Sequence, residues 1–266
     1  MPSALRDDLF VIACTKEVAW PYQHADETER LVQDSSGQLF RLVQDTPRFP
    51  FAAANECLAT FLAKHLGLST PAGQPVRFDQ AECYGERFEA SWWPFDHDAF
   101  LRRNDSAELA GSILAFDFWL CNPRRTEASM LMDGTVLRQH YEAAQEPGHE
   151  LPALPAPILI RHQRCFMGLY DAEDEAEAFD PIPPDVESIL ADHPLTGHIH
   201  GQFDFHPFLT RLEAMDAEQL RDMIRRVPSR WLTPGHKAVV FEYLRTRASQ
   251  LRGMINQLRP FCPDWR

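Results

Sequence analysis

A chain of 266 residues with 44% apolar and 11% aromatic content suits one large domain or two lobes sharing a core. Its formal net charge of −13 argues against direct contact with nucleic acid, whose phosphates need a basic stripe, and against anionic membrane surfaces. No apolar run approaches the roughly 20 residues of a membrane span.

The start, MPSALRDDLFVIAC, places acids before a very short apolar run and has no cleavage-type site, so no signal peptide is expected. Within it, residues 8–14 (DLFVIAC) read as a strand. Residues 38–44 (QLFRLVQ) follow the turn signal DSSG and read as a second. TPRFPF is a loop. Residues 52–68 (AAANECLATFLAKHLGL) form an amphipathic helix in which Leu58, Phe61, Leu62 and Leu66 recur at three-to-four spacing, with Gly67 where a helix cap belongs. PAGQPVRFDQ and ECYGERFEASWW follow as strand, turn and strand. Residues 1–95 thus read as a small mixed sheet with one main helix.

Residues 96–266 are mainly helical. SAELAGSILAFDFWLCN, 106–122, is a strongly apolar helix with Ser106 as its expected N-cap. MLMDGTVL resembles a hairpin with an Asp-Gly turn. The Pro-rich EPGHELPALPAP reads as an exposed loop or polyproline segment. PILIRHQRCFMG carries ILI as a buried strand, and DAEDEAEAFDPIPPDVE is an acidic, solvated loop. The tail holds two helices, AEQLRDMIRRVP and HKAVVFEYLRTRASQLRGMINQL. The second has an apolar stripe of Val240, Tyr243, Leu244, Leu251 and Ile255.

Several residue groups carry chemistry. The six cysteines, Cys14, Cys57, Cys83, Cys121, Cys165 and Cys262, are scattered without a CxxC pair, as expected for reduced thiols in a cytoplasmic protein. HPLTGHIHGQFDFHPF gathers His193, His198, His200 and His206, with Asp204 nearby. On an extended segment His198 and His200 share a face, which with His206 suits a transition-metal site. The competing reading is a surface loop docked through its phenylalanines. In SWWPFDHD, where two lobes would join, Trp92 and Trp93 either line a pocket or a partner groove or pack in the core or hinge, and Trp231 anchors the terminal helices. No phosphate-binding or dinucleotide glycine loop and no G-x-S-x-G motif is present.

Four segments, in order over about residues 38–258, resemble the HipA-like kinase family. NECLATFLAKHLGLSTPAG is similar to its first helix, and ILAFDFWLCNPRR to its F-D-x-W-x-x-N-x-D-R-H catalytic loop. ILIRHQRCF is similar to its metal-binding strand, and RRVPSRWLTPGHKAVVFEYLRTRASQLRGMI to its closing helices. The resemblance implies an α+β, two-lobed protein-kinase-like fold, a bacterial setting and a protein partner, because relatives often belong to toxin–antitoxin pairs.

The resemblance also implies a site. Such enzymes hold phosphates with a strand lysine paired to a helix glutamate, and magnesium with an asparagine and an aspartate. Glu56 matches the glutamate, but the strand has no lysine; Arg41, Val43 or Gln44 takes its place, depending on register. With Asn122 aligned to the family's asparagine, Arg124 stands at the catalytic aspartate, Arg125 at the following arginine and Thr126 at the histidine. Ser129 stands at the metal-binding asparagine and Arg161 at the metal-binding aspartate, with His162 retained.

A unit charge pair 4 Å apart is worth about 4 kcal/mol at an effective dielectric of 20, and a divalent ion doubles it. Two aspartate-to-arginine changes therefore replace attraction for magnesium with comparable repulsion. Loss of the base separately costs roughly 10²–10⁴ in rate.

The expectation is a catalytically impaired, pseudokinase-like binding or regulatory module. Arg124 and Arg161 should approach each other across the old metal site. Either they bind an anion without magnesium, ATP or another phosphate, at a cleft of Glu56, Arg41, Asn122, Arg124, Arg161 and His162, or they pair with acids and close it. The first alternative is an atypical phosphotransferase or nucleotidyl transferase using Asp117, Glu127 or Asp133, although Asp117 is expected to be structural, bonded to loop backbone. The second is a metal-binding protein built on His198, His200 and His206.

Overall fold

The computed structural model describes residues 12–19, 28–123, 125–146, 150–166, 189–190 and 193–266. Five strands close into a barrel: β1 (Ile12–Val18), β2 (Glu29–Asp34), β3 (Leu39–Val43), β5 (Ala81–Phe88) and β4 (Gly73–Phe78), in that order. Every pairing is antiparallel except β1 with β4, which closes the ring in parallel. Of the expected strand over residues 8–14, the part from Ile12 is present in β1, and residues 8–11 lie outside the described residues. Strand β2 has no sequence counterpart among the expected elements, because ERLVQD offers only Leu31 and Val32 as a buried signal.

Helix α1 (Ala52–His65) crosses the barrel and is buried along most of its length. Asp45 accepts a hydrogen bond from Ala53 N at 2.9 Å and so satisfies one of the orphan donors of its first turn. At the other end Gly67 takes φ +75, a left-handed value that glycine adopts without steric cost, and Leu68 N bonds Ala63 O at 2.8 Å.

The helical lobe is organised around α3 (Ser106–Leu120), whose residues from Ala110 to Leu120 are all buried. Asp105 holds the cap position and Ser106 is already the first helical residue, one step inside its expected place. Gly111 lies where a Cβ would come within 2.3 Å of Asp204 O, so the backbone of residues 202–205 packs directly on the helix. At the far end Arg247 donates to the carbonyls of Phe118 and Trp119, and Trp119 Nε1 donates to Leu244 O at 3.0 Å. A cation thus meets the carbonyl end of the helix, where the backbone dipole favours it.

Before α3 come β6 (Trp92–Pro94) and the short α2 (His97–Leu101); after it come β7 (Met130–Asp133), α4 (Gly134–Ala144) and β8 (Ile158–Leu159). Strands β6, β7 and β8 form a second small sheet. The expected Asp-Gly hairpin is corrected here: Asp133 ends β7 and caps α4, accepting from Thr135 N at 2.9 Å and Val136 N at 3.3 Å. An Asp-Gly pair serves a cap as well as a turn, and the cap prevails because Leu137 then reaches the core.

The tail contains α5 (His206–Ala214), α6 (Ala217–Arg226) and α7 (Pro234–Ile255). Val240, Tyr243, Leu244, Leu251 and Ile255 of α7 are buried, as their spacing predicts. Trp231 is buried ahead of α7 and meets Tyr84 of β5 edge-on, with ring centroids 6.2 Å apart, so the helical lobe touches the barrel there. Trp92 packs with Leu31, Phe88, Leu131 and Ile160, while Trp93 is 40% exposed. The expected acidic loop lies outside the described residues. Among the described residues no helix is long and apolar enough to cross a membrane.

Candidate functional site

The register of the barrel decides which of Arg41, Val43 and Gln44 faces Glu56. Arg41 of β3 pairs directly with Glu86 of β5, and Leu31 of β2 is its partner on the other side. Side chains alternate along a strand, so Glu29, two residues from Leu31, shares the Arg41 face. That face looks toward α1, which supplies Glu56.

Arg41 is 1% exposed and bonds three carboxylates. Its Nη1 lies 2.5 Å from Glu29 Oε1 and its Nη2 2.5 Å from Glu56 Oε1. Its Nε and Nη2 donate to Glu86 Oε2 at 2.9 and 2.7 Å. The pairing of Arg41 with Glu56 anticipated from sequence is present, with two further acids added.

The second lobe reaches the same cluster. His162 N donates to Glu56 Oε2 at 2.6 Å, and His162 Nδ1 lies 3.1 Å from Glu56 Oε1. Arg161 Nε donates to Glu29 Oε2 at 3.1 Å, and Gln163 Nε2 to Glu29 Oε1 at 3.4 Å. Asn55, beside Glu56, donates from Nδ2 to the carbonyls of Gln163 and Cys165 at 3.1 and 2.8 Å. The segment that resembles a metal-binding strand is therefore sewn to the barrel and to α1.

Charge balance explains why so many acids are tolerated. Burial, reinforced by the Glu56 charge, pushes the Glu86 carboxyl up to about 8 against the pull of Arg41. At neutral pH it is mainly protonated, with Thr60 Oγ1 3.1 Å from its Oε1. Burial also works upward on Glu56, but Arg41 and then His162 outweigh it and hold the group at about 2. Burial keeps His162 below its usual range, hence neutral, with Nδ1–H toward Glu56. Two guanidinium charges, Arg41 and Arg161, then face two carboxylates, Glu29 and Glu56.

A second buried cluster holds the loop after α3. Arg125 Nε and Nη2 donate to Asp117 Oδ2 and Oδ1, both at 2.7 Å, and its Nη1 donates to Ile160 O at 2.7 Å and Ser129 O at 3.2 Å. Asn122 Nδ2 donates to Asp117 Oδ1 at 2.8 Å. His193 Nε2 donates to Asp117 Oδ2 at 3.2 Å, while its Nδ1 accepts from Leu195 N at 3.3 Å. Burial alone would raise Asp117, but Arg125 and His193 hold its carboxyl well below the usual carboxylate range. Asp117 is structural, as expected, but through side chains rather than through loop backbone.

The remaining site positions fall as follows. Ser129 is buried; its Oγ accepts from Thr126 N at 2.9 Å and donates to Thr126 O at 2.6 Å, so the hydroxyl serves the loop itself. Arg124 lies outside the described residues, and with it the expected approach to Arg161. Glu127 pairs with His97 at 2.8 Å on the surface and Asp133 caps α4, so Asp117, Glu127 and Asp133 serve three separate partners instead of converging.

The histidines separate as well. His193 belongs to Asp117, and His198 packs its ring on Phe100 with Nε2 3.4 Å from His97 Nδ1. His200 and His206 are exposed. Among the described residues no group of three or more His, Cys, Asp or Glu side chains is placed to hold a metal ion. Of the phenylalanines in that stretch, Phe205 and Phe208 are buried, while Phe203 is 87% exposed.

Glu29, Glu86, Gln163 and the Asp117–Arg125 pair were not singled out from sequence. Glu86 had a signal: it alternates with Tyr84 and Phe88 on one strand face, and a carboxylate between two buried aromatics needs a partner. Glu29 had none, because its strand was not recognised.

No protein-family model matches the chain, and no curated protein matches it. Solved structures do match. The Helicobacter pylori proinflammatory kinase CtkA aligns with a TM-score of 0.59 at 11% identity, over 91% of this chain and 96% of that one. HipA, in the Shewanella oneidensis MR-1 HipA, HipB and operator DNA complex, aligns with a TM-score of 0.43 at 10% identity, over 91% of this chain and 68% of that one. The CtkA likeness establishes an architecture: this chain has the two-lobed kinase-like fold, with a sheet-based first lobe and a helical second lobe.

Proposed function

We propose that this protein is a catalytically impaired, pseudokinase-like member of that fold, with its cleft closed by internal ion pairs, and that it acts as a binding or regulatory module for a protein partner. One observation carries the reading. Arg41, the cation that stands in for the phosphate-binding lysine, is buried and engaged by Glu29, Glu56 and Glu86. A phosphate would have to displace carboxylates that already satisfy it. The replaced metal-binding positions point the same way: Ser129 is spent on its own loop and Arg161 carries the charge of the wrong sign for magnesium.

The transferase alternative needs acids grouped at the cleft, and Asp117, Glu127 and Asp133 are engaged elsewhere. A division into lobes of residues 1–95 and 96–266 fits this reading, as does a cytoplasmic setting, in which the six free thiols stay reduced. The test is incubation of the full chain with γ-labelled ATP and magnesium, with and without a generic acceptor protein. The reading expects no label on either protein. Stoichiometric labelling that disappears in an Arg41→Ala variant would overturn it.

A further inference from the structure

Glu29 occupies an unusual place. Its side chain is fully buried and lies between the two cations that replace the phosphate and metal ligands, 2.5 Å from Arg41 Nη1 and 3.1 Å from Arg161 Nε, with Gln163 Nε2 at 3.4 Å. These donors come from β3 and from the segment after β8, so they converge across the two lobes. Arg161 holds a left-handed backbone, φ +67, a conformation strained for a residue other than glycine. Its side chain remains 16% exposed, so the cluster has one edge toward solvent.

Resting on the closed-cleft reading, we infer that Arg41, Arg161 and Gln163 form a metal-independent oxyanion site and that Glu29 is its built-in occupant. Two guanidinium groups and an amide converging on one carboxylate present the donor set that a phosphate group takes. Magnesium has no part in it: every donor is a guanidinium or an amide, and neither group ligates a hard cation. An oxyanion entering the site takes the place of the Glu29 carboxylate, while Arg41 keeps Glu56 and Glu86.

The experiment is a thermal melt of the full chain carrying Glu29→Ala, beside wild type. Each is titrated with potassium phosphate, with magnesium-free ATP, and with potassium chloride at matched ionic strength. Phosphate stabilises folded proteins in general, so the readout is the rise in Glu29→Ala beyond that in wild type. The inference expects Glu29→Ala to melt lower in chloride and phosphate or ATP to restore it saturably, by about 5 °C near saturation. The double variant Glu29→Ala/Arg161→Ala should lose that specific rise. Rescue by phosphate alone assigns a free oxyanion; rescue by ATP as well assigns a phosphate carried on a nucleotide. Equal responses of Glu29→Ala and wild type would overturn the inference, as would a variant that stays unfolded at every anion concentration. The closed-cleft reading is judged on wild type with Mg-ATP: failed rescue leaves it standing, and binding by wild type ends it whatever Glu29→Ala does.

Discussion

Arg125 holds Asp117 through two parallel hydrogen bonds of 2.7 Å, and neither side chain is reached by solvent. The same guanidinium continues to the carbonyls of Ser129 and Ile160, so one residue joins α3, its following loop and the end of β8. These elements are bound to one another.

Replacing Asp117 by Asn leaves the shape and removes the charge. Arg125 then stays buried without its counter-ion, and breaking such a pair costs about 3–5 kcal/mol. Urea denaturation of Asp117→Asn should show a loss of that size. A loss under about 1 kcal/mol would mean that the pair is not the staple described.

The Arg41 cluster makes a pH prediction with a definite sign. Glu86 titrates at about 8 in the fold against 4.5 when free, so the folded chain keeps a proton that the unfolded chain has released between those values. Its contribution is full below pH 4.5 and is lost as pH rises through 8. Glu56, at about 2 against 4.5, runs the opposite way: its contribution is present above pH 4.5 and is lost as pH falls toward 2. Glutamine at position 86 has no such proton. Glu86→Gln should flatten the stability decline between 4.5 and 8 and leave the acid limb intact, measured as urea midpoints across that range. Parallel declines in variant and wild type would refute the assignment.

Arg41→Lys tests whether a lysine alone restores the cleft. An ammonium keeps the charge but cannot span three carboxylates with a planar fork. The expected cost is about 2–3 kcal/mol from lost charge-assisted hydrogen bonds. No ATP binding should appear, because Ser129 and Arg161 still lack magnesium-binding chemistry. Chemical denaturation and a nucleotide titration of the same preparation read both outcomes.

The Asp-Gly reassignment is open to a simpler check. If Asp133 caps α4, Asp133→Ala costs about 1 kcal/mol, visible in a denaturation midpoint. A neutral result would remove the cap from the account.

The large elements were legible because their periodicity reports burial directly. Helices α1, α3 and α7 show their apolar spacing in the chain, and β3 and β5 lie between recognisable turns. The misreadings have local causes. Asp133 and Gly134 suit a hairpin turn and a helix start equally, and only the distant packing of Leu137 decides between them. Glu29 is invisible in sequence because its role depends on barrel register: two residues of offset place it beside Arg41. The histidines looked like a set because they are close in sequence. In space His193 belongs to Asp117, His198 to Phe100 and His97, and His200 and His206 to the surface.

The most direct measurement is isothermal titration of the wild-type chain with ATP, in the presence of magnesium and again in EDTA. A cleft filled by Glu29, Glu56 and Glu86 around Arg41 predicts no saturable heat in either buffer. Tight binding that strengthens with magnesium would show that the carboxylates yield to nucleotide and would contradict the account at its centre.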